Sequence, residues 1–207
     1  MPGTKIAESI RREHVIAAAY EIAATEGLRA VTIRDVAARA GMSTGLVLFH
    51  FKSKDQLVLE LVDWVLATTT ALQVGRDILA IASPLERLVA LLAQEMARLS
   101  SEPARMRLFF EFWAAGLSDA GIRRRMQPEL DRYREAFRPI AEAVLAAEPD
   151  RFPHTTPDGL AAVAVSFIKG CAVQSMIDPD LDINQFLAAA EGLLRRPPSM
   201  SAPVSIT

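Results

Sequence analysis

Apolar positions recur along this chain at helical steps, and no stretch alternates as a half-buried strand would. Ile16, Ala19, Ile22 and Ala23 stripe a first helix from about Ser9 to Glu26, and Gly27 stands where a helix C-cap glycine belongs. A second, short helix opens at Thr32, whose hydroxyl can cap it with Asp35 three residues on, a short variant of the capping box. Ile33, Val36, Ala37 and Ala40 form its apolar face, and Gly41 ends it. Ser43 can cap a third helix in which Val47 and Phe51, four apart, both point inward. Lys52 to Asp55 breaks the run, and a long helix is predicted from there to about Gly75.

The remaining chain is punctuated by start signals. Ser83-Pro84-Leu85-Glu86 combines a cap, a proline at the first helical position and an acid three residues after the cap. Glu102-Pro103 opens a helix carrying MRLFFEFW. Ser118-Asp119 begins a short helix, and a longer one follows through Tyr133 and Phe137, with a kink expected at Pro139. Thr156-Pro157-Asp158 starts the next, and Asp182 to Gln185 the last, which ends near Arg195. The tail from Pro197 reads as disordered. The expected fold is all-α with about nine helices: a head over 1–54, a larger helical body over 55–196 and a tail over 197–207.

Thr32 to Phe51 is the most informative stretch. Two short helices joined by a tight turn at Gly41 have the spacing of a helix-turn-helix, which sets its second helix in the DNA major groove. With Val47 and Phe51 turned inward, the opposite face shows Thr44, Gly45, Leu48 and Phe49, with Leu46 and His50 at its edges. Apolar side chains there suit the thymine methyl, and Gly45 allows close approach. Leu46, Leu48 and Phe49 either form this face or pack under the first or the long fourth helix. Arg34 can reach a guanine edge or a phosphate, or stand in water. Lys52 and Lys54 suit the phosphate backbone, His50 either donates to a phosphate or is a plain surface or core residue, and Thr32 and Ser43 at the two helix starts complete the candidate DNA contacts.

Composition narrows the classes. The 207 residues are 51% hydrophobic, enough for a packed core. The net charge of −2 hides an asymmetry. Residues 1–54 hold eight Lys/Arg against five Asp/Glu, and the rest hold fifteen against twenty. The lone Cys171 excludes an internal disulfide or a cysteine-rich zinc site. No signal peptide or membrane-spanning helix is expected, so a soluble, cytoplasmic protein is. Three scattered histidines and one cysteine offer no nucleophile–base pair and no metal cluster, so neither an enzyme nor a cofactor or metal is expected. A helical binding or scaffold protein is the rival reading.

Met96, Met106, Phe109, Phe110, Trp113 and Met126 are the large, adaptable side chains from which helical pockets are built. Tyr133 and Phe137 continue the set, and Phe167, Cys171 and Gln174 can join from a later helix. Ordinary core packing is the alternative for each. Glu111 either counters a cationic ligand or faces water.

Ala19 to Gly27, Thr32 to Ser43 (TIRDVAARAGMS) and His50 to Leu57 (HFKSKDQL) resemble the TetR family of bacterial transcriptional regulators. Ser43-Thr44-Gly45 looks like its choline-responsive BetI branch, and FFEFWAAGLSDAGIRRR and QSMIDPDLDINQFLAAAEGLL are similar to BetI-like C-terminal domains. Leu48 departs from the pattern, because many members carry a phosphate-contacting tyrosine there. The resemblance implies a homodimer with two helix-turn-helix heads, operator DNA as partner and a small-molecule effector. It also implies that helices over 156–176 and 183–195 form a four-helix bundle with their mates. Ala161, Ala164, Ile168 and Ala172 make a small-residue stripe that suits such an interface, and Phe186, Leu187, Ala190 and Leu194 make a second. Packing within one chain is the alternative. Coupling is expected to run through the long helix that begins near Asp55.

Overall fold

The structure is a computed structural model that describes residues 2–178 and 180–195, with side chains placed for 8–178 and 180–194. The expected tail lies outside the described residues. Among these residues there are ten α-helices and no strand. They are α1 (Pro2–Glu26), α2 (Ile33–Arg39), α3 (Thr44–Phe51), α4 (Lys54–Thr69), α5 (Arg76–Leu79), α6 (Pro84–Ser100), α7 (Pro103–Gly116), α8 (Ala120–Ala147), α9 (Pro157–Ile177) and α10 (Ile183–Arg195). The chain divides into two compact units. One is the stretch up to Ala71 with Ser101–Arg132; the other is Leu72–Ser100 with the chain from Tyr133 on.

In the first unit, α1, α4 and α7 pack together and hold the short α2 and α3. Val15, Ala19, Ile22, Val36, Val47 and Phe51 are buried with Leu57, Leu61, Leu108 and Phe112. Tyr20 and Trp64 add a tilted aromatic pair with centroids 4.8 Å apart. In the second unit, α6 packs against α9 and α10 over a core that includes Leu88, Leu91, Met96, Tyr133, Phe137 and Ile168.

Caps explain most of the boundaries. Side-chain oxygens of Thr32, Ser43, Ser53, Ser83 and Thr156 each accept a backbone N–H three residues on. Asp119 and Asp182 accept from the N–H groups opening α8 and α10. The turn after α2 is a Schellman motif: Met42 N donates to Ala37 O at 2.9 Å and Gly41 N to Ala38 O at 3.3 Å, with Gly41 at φ 65°.

Two expectations need correction. The helix expected to reach Gly75 stops at Thr69. The hydroxyls of Thr68, Thr69 and Thr70 turn back onto the carbonyls of Val65 and Leu66, and such back-bonding competes with helix continuation. The two helices expected after Ser118 are a single α8 that runs through Pro128 and Pro139. Each interior proline costs about 3 kcal/mol. Ile122, Met126, Tyr133, Phe137, Ala141 and Val144 form one buried stripe, worth about 1.5–3 kcal/mol for each large side chain, and the stripe prevails. By length and composition alone α9 is also long and apolar enough to cross a membrane. Its apolarity has another use, because Ala161, Ala164, Val165 and Ile168 are buried in its own unit.

Gly27 has φ 89° and ψ 162°, a region nearly closed to residues with a Cβ. Gly27→Ala should therefore lower stability by about 1–3 kcal/mol, read from denaturant unfolding monitored by circular dichroism.

Candidate functional site

The helix-turn-helix is built as its residues require. Val47 and Phe51 are fully buried, which fixes the rotation of α3 and turns its other side outward. Thr44 and Gly45 are exposed, Leu48 is 41% exposed and Phe49 is 64% exposed. These positions share one helix face, so the structure brings them together as expected. Leu46 is half-buried at its edge. Arg34 extends into solvent on α2, 3.6 Å from Asp35. Thr32 and Ser43 spend their hydroxyls on the caps of α2 and α3, while Lys54 is exposed at the start of α4.

Two residues depart from the expected roles. His50 is buried, with both ring nitrogens lacking a hydrogen-bond partner among the described residues and Nδ1 lying 3.9 Å from Glu8. A phosphate cannot reach a ring so enclosed, so His50 leaves the contact set. Lys52 takes a left-handed backbone (φ 63°) and folds back: its Nζ donates to Phe49 O at 2.7 Å and stands 5.0 Å over the Phe49 ring. It closes the end of α3 as well as presenting a charge.

Sequence reasoning missed how this head is tied down. Arg12 of α1 donates to His50 O at 2.7 Å and pairs with Glu60 of α4. From α7, Glu111 accepts from Leu28 N at 2.9 Å and Arg107 donates to Ala24 O. Glu111 therefore anchors backbone instead of facing water. Contacts 38 to 83 residues apart leave no periodic signal in the sequence.

The expected pocket side chains are divided between the two units. Met106, Phe109, Phe110, Trp113 and Met126 fall in the first unit, and Met96, Tyr133, Phe137, Phe167, Cys171 and Gln174 in the second. Most are buried; Phe110, Trp113 and Phe167 are half-buried, and Gln174 is exposed. A cavity of about 330 Å³ lies elsewhere in the first unit, at the end of α4, and none of these residues lines it. Its walls are Asp63, Ala67, Thr70, Ala71, Glu129 and Arg132. Asp63 pairs with Arg125, yet burial, with help from Glu60 and Glu129, raises its carboxyl above the usual range. Glu129 pairs with Arg132 at 2.8 Å.

The second unit encloses charge. Glu95 is fully buried, and Arg98 grips it through Nε at 3.0 Å and Nη2 at 2.6 Å. Tyr133 donates to it at 2.7 Å. Lys169 of α9 is buried beside them, its Nζ 4.8 Å over the Tyr133 ring. Burial and then Glu95 raise the Tyr133 hydroxyl far above its ordinary range. Burial and then Arg98 push the Lys169 ammonium down to about 7.

The small-residue stripe of α9 also finds a different place. Ala161, Ala164, Ile168 and Ala172 are buried within their own chain, so they present no surface to a second subunit. Phe186, Leu187, Ala190 and Leu194 are half-buried, on a helix that packs against α6 and α9. On α9 and α10 the exposed large apolar residues are Val163, Ile177 (80% exposed) and Leu193 (73% exposed).

A capped, outward-facing second helix in a head of this kind defines the class of helix-turn-helix regulatory proteins. The chain matches the family of bacterial regulatory proteins, tetR family, over residues 15–61, and the BetI-type transcriptional repressor C-terminal family over residues 84–196. The second match covers more than half of the chain, and the chain belongs to the TetR family. It is 32% identical over 123 residues to the repressor KstR2 of Mycolicibacterium smegmatis, covering 57% of each chain. To the regulator BetI of Burkholderia ambifaria it is 32% identical over 115 residues, 56% of this chain and 59% of that one. The chain thus spans little more than half the length of these curated relatives. A putative regulator of Saccharomonospora viridis, solved in complex with choline, superposes with a TM-score of 0.67 at 19% identity, over 90% of this chain and 96% of that one.

The cost of enclosing Lys169 can be read from the pH dependence of stability. Its unfolded form keeps the proton up to about 10.5, its folded form only to about 7. Between those values the unfolded state binds the extra proton, so stability rises with pH. Lys169→Met should raise the melting temperature most at pH 7 and below, with the gap to wild type closing as pH approaches 10; a gap that widens instead would contradict the assignment.

Proposed function

We propose that this chain is a ligand-responsive transcriptional regulator that binds operator DNA as a homodimer and represses until a small molecule releases it. The observation that carries this reading is the exposed Thr44–Gly45–Leu48–Phe49 face on a helix whose other side is locked into a core. Thr44 and Gly45 stand at the open end of the groove-entering helix, where a hydroxyl and a bare backbone can meet base edges. Leu48 and Phe49 supply apolar contact for thymine methyls. Arg34 and Lys54 flank them as phosphate partners, which position the protein without reading sequence. The site of action is the cytoplasm, where bacterial DNA lies.

For the subunit contact we propose the outward faces of α9 and α10, replacing the buried stripe. Val163, Ile177 and Leu193 are too exposed to serve the monomer. Gly170 and Gly192 leave open space where a Cβ would stand, which lets a partner helix approach closely. An effector is proposed for the cavity at the end of α4, because its volume is in the range of small-molecule sites. Choline, bound by the Saccharomonospora viridis protein, is the first probe of that cavity.

A gel-shift assay with the DNA upstream of the gene tests the reading. Retention should be salt-sensitive and selective over scrambled duplex. Lys54→Ala should weaken all duplexes alike, whereas Phe49→Ala should reduce selectivity by roughly tenfold, about 1.4 kcal/mol. No retention of any duplex at low salt would refute the proposal. For assembly, Leu193→Glu combined with Val163→Glu should convert dimer to monomer in analytical ultracentrifugation; a wild-type chain already monomeric at micromolar concentration would overturn the interface.

A further inference from the structure

The four last carbonyls of α3 have no partner within the helix and must find one outside it. Leu48 O accepts from Lys52 N at 2.9 Å, and Phe49 O from Lys52 Nζ at 2.7 Å. Phe51 O accepts from Ser53 N at 2.7 Å. These three are local. The fourth, His50 O, is taken by Arg12 Nη1 at 2.7 Å from another helix, 38 residues away. The same guanidinium pairs through Nη2 with Glu60 of α4 and stands 4.7 Å over the Phe51 ring. One planar fork thus binds the end of α3, its buried anchor Phe51 and a carboxylate on α4. A lysine has a single point of charge and cannot span the two acceptors. A cation at a helix C-terminus is also favoured by the helix dipole.

We propose that Arg12 is a positioning residue that sets the angle at which α3 presents its outer face, and that Glu60 makes this angle answer to α4. Arg12 touches no base in this role. A shift of α4 carries Glu60, Glu60 holds the guanidinium, and the guanidinium holds the end of α3. Phe49 sits directly before the clamped carbonyl, so a small tilt there displaces the residue placed to read the groove. The inference rests on the DNA-reading proposal above and goes beyond it by naming the link between the reading helix and the helix behind it.

The test uses the full chain and duplexes selected by the wild type from a random pool. Arg12→Met keeps the aliphatic stem but removes the fork. It should lower discrimination between selected and scrambled duplex by about tenfold, with affinity for scrambled duplex changed less than about twofold. Arg12→Lys keeps the charge at Glu60 without the second contact, and it should lose discrimination in the same direction with the melting temperature unchanged; it decides the matter if Arg12→Met fails to fold. Glu60→Gln should reduce discrimination in the wild-type background and have no effect in Arg12→Met. Folded variants that keep wild-type discrimination, or that lose affinity for both duplexes alike, would overturn the positioning role. Additive losses in the double variant would overturn the link through Glu60. A wild type that selects no duplex refutes the DNA reading itself, a result distinct from either.

Discussion

Burial of Val47 and Phe51 is the constraint on which the rest of the head depends. An eight-residue helix is too short to persist alone in water, so α3 exists because its neighbours hold it. The core fixes which side points inward, and that choice leaves Thr44, Gly45, Leu48 and Phe49 no place but the surface. Caps at Thr32 and Ser43, the Schellman turn at Gly41 and the Arg12 fork then limit how far the two short helices can slide or tilt. Exposed apolar side chains in such a setting follow from geometry already decided beneath them.

The second unit solves a different problem. Its helix α9 is apolar enough to be mistaken for a membrane span, yet it carries Lys169 in its middle. Burying an ammonium is costly unless opposite charge accompanies it. Glu95 offsets part of that cost, and Arg98 and Tyr133 hold Glu95 in place. The arrangement ties α6, α8 and α9 at one point inside an otherwise apolar core. A geometric match of this kind admits fewer alternative packings than leucines and alanines alone.

Much of the head is legible in the sequence. Gly41 after a short apolar stripe, with Ser43 two residues on, announces the turn and the next cap, because local chemistry decides both. The exposed face of α3 follows from the spacing of Val47 and Phe51. His50 escapes such reasoning, because a histidine at a helix edge has no local signal telling phosphate from core. Proline likewise argues locally for breaks in α8, whereas six buried side chains on one face keep it whole. The stripe of Ala161, Ala164, Ile168 and Ala172 announces close packing correctly but not with whom.

By itself the sequence determined most of the helical segments, where many of them start and which face of α2 and α3 is apolar, since periodicity and capping act within a few residues. The tertiary structure alone decided which apolar face meets which. It seated Arg12 between His50 O and Glu60, brought Glu111 to Leu28 N and enclosed Lys169 with Glu95. Such pairings join residues tens of positions apart, and their energy depends on distance and burial, neither of which a linear pattern encodes.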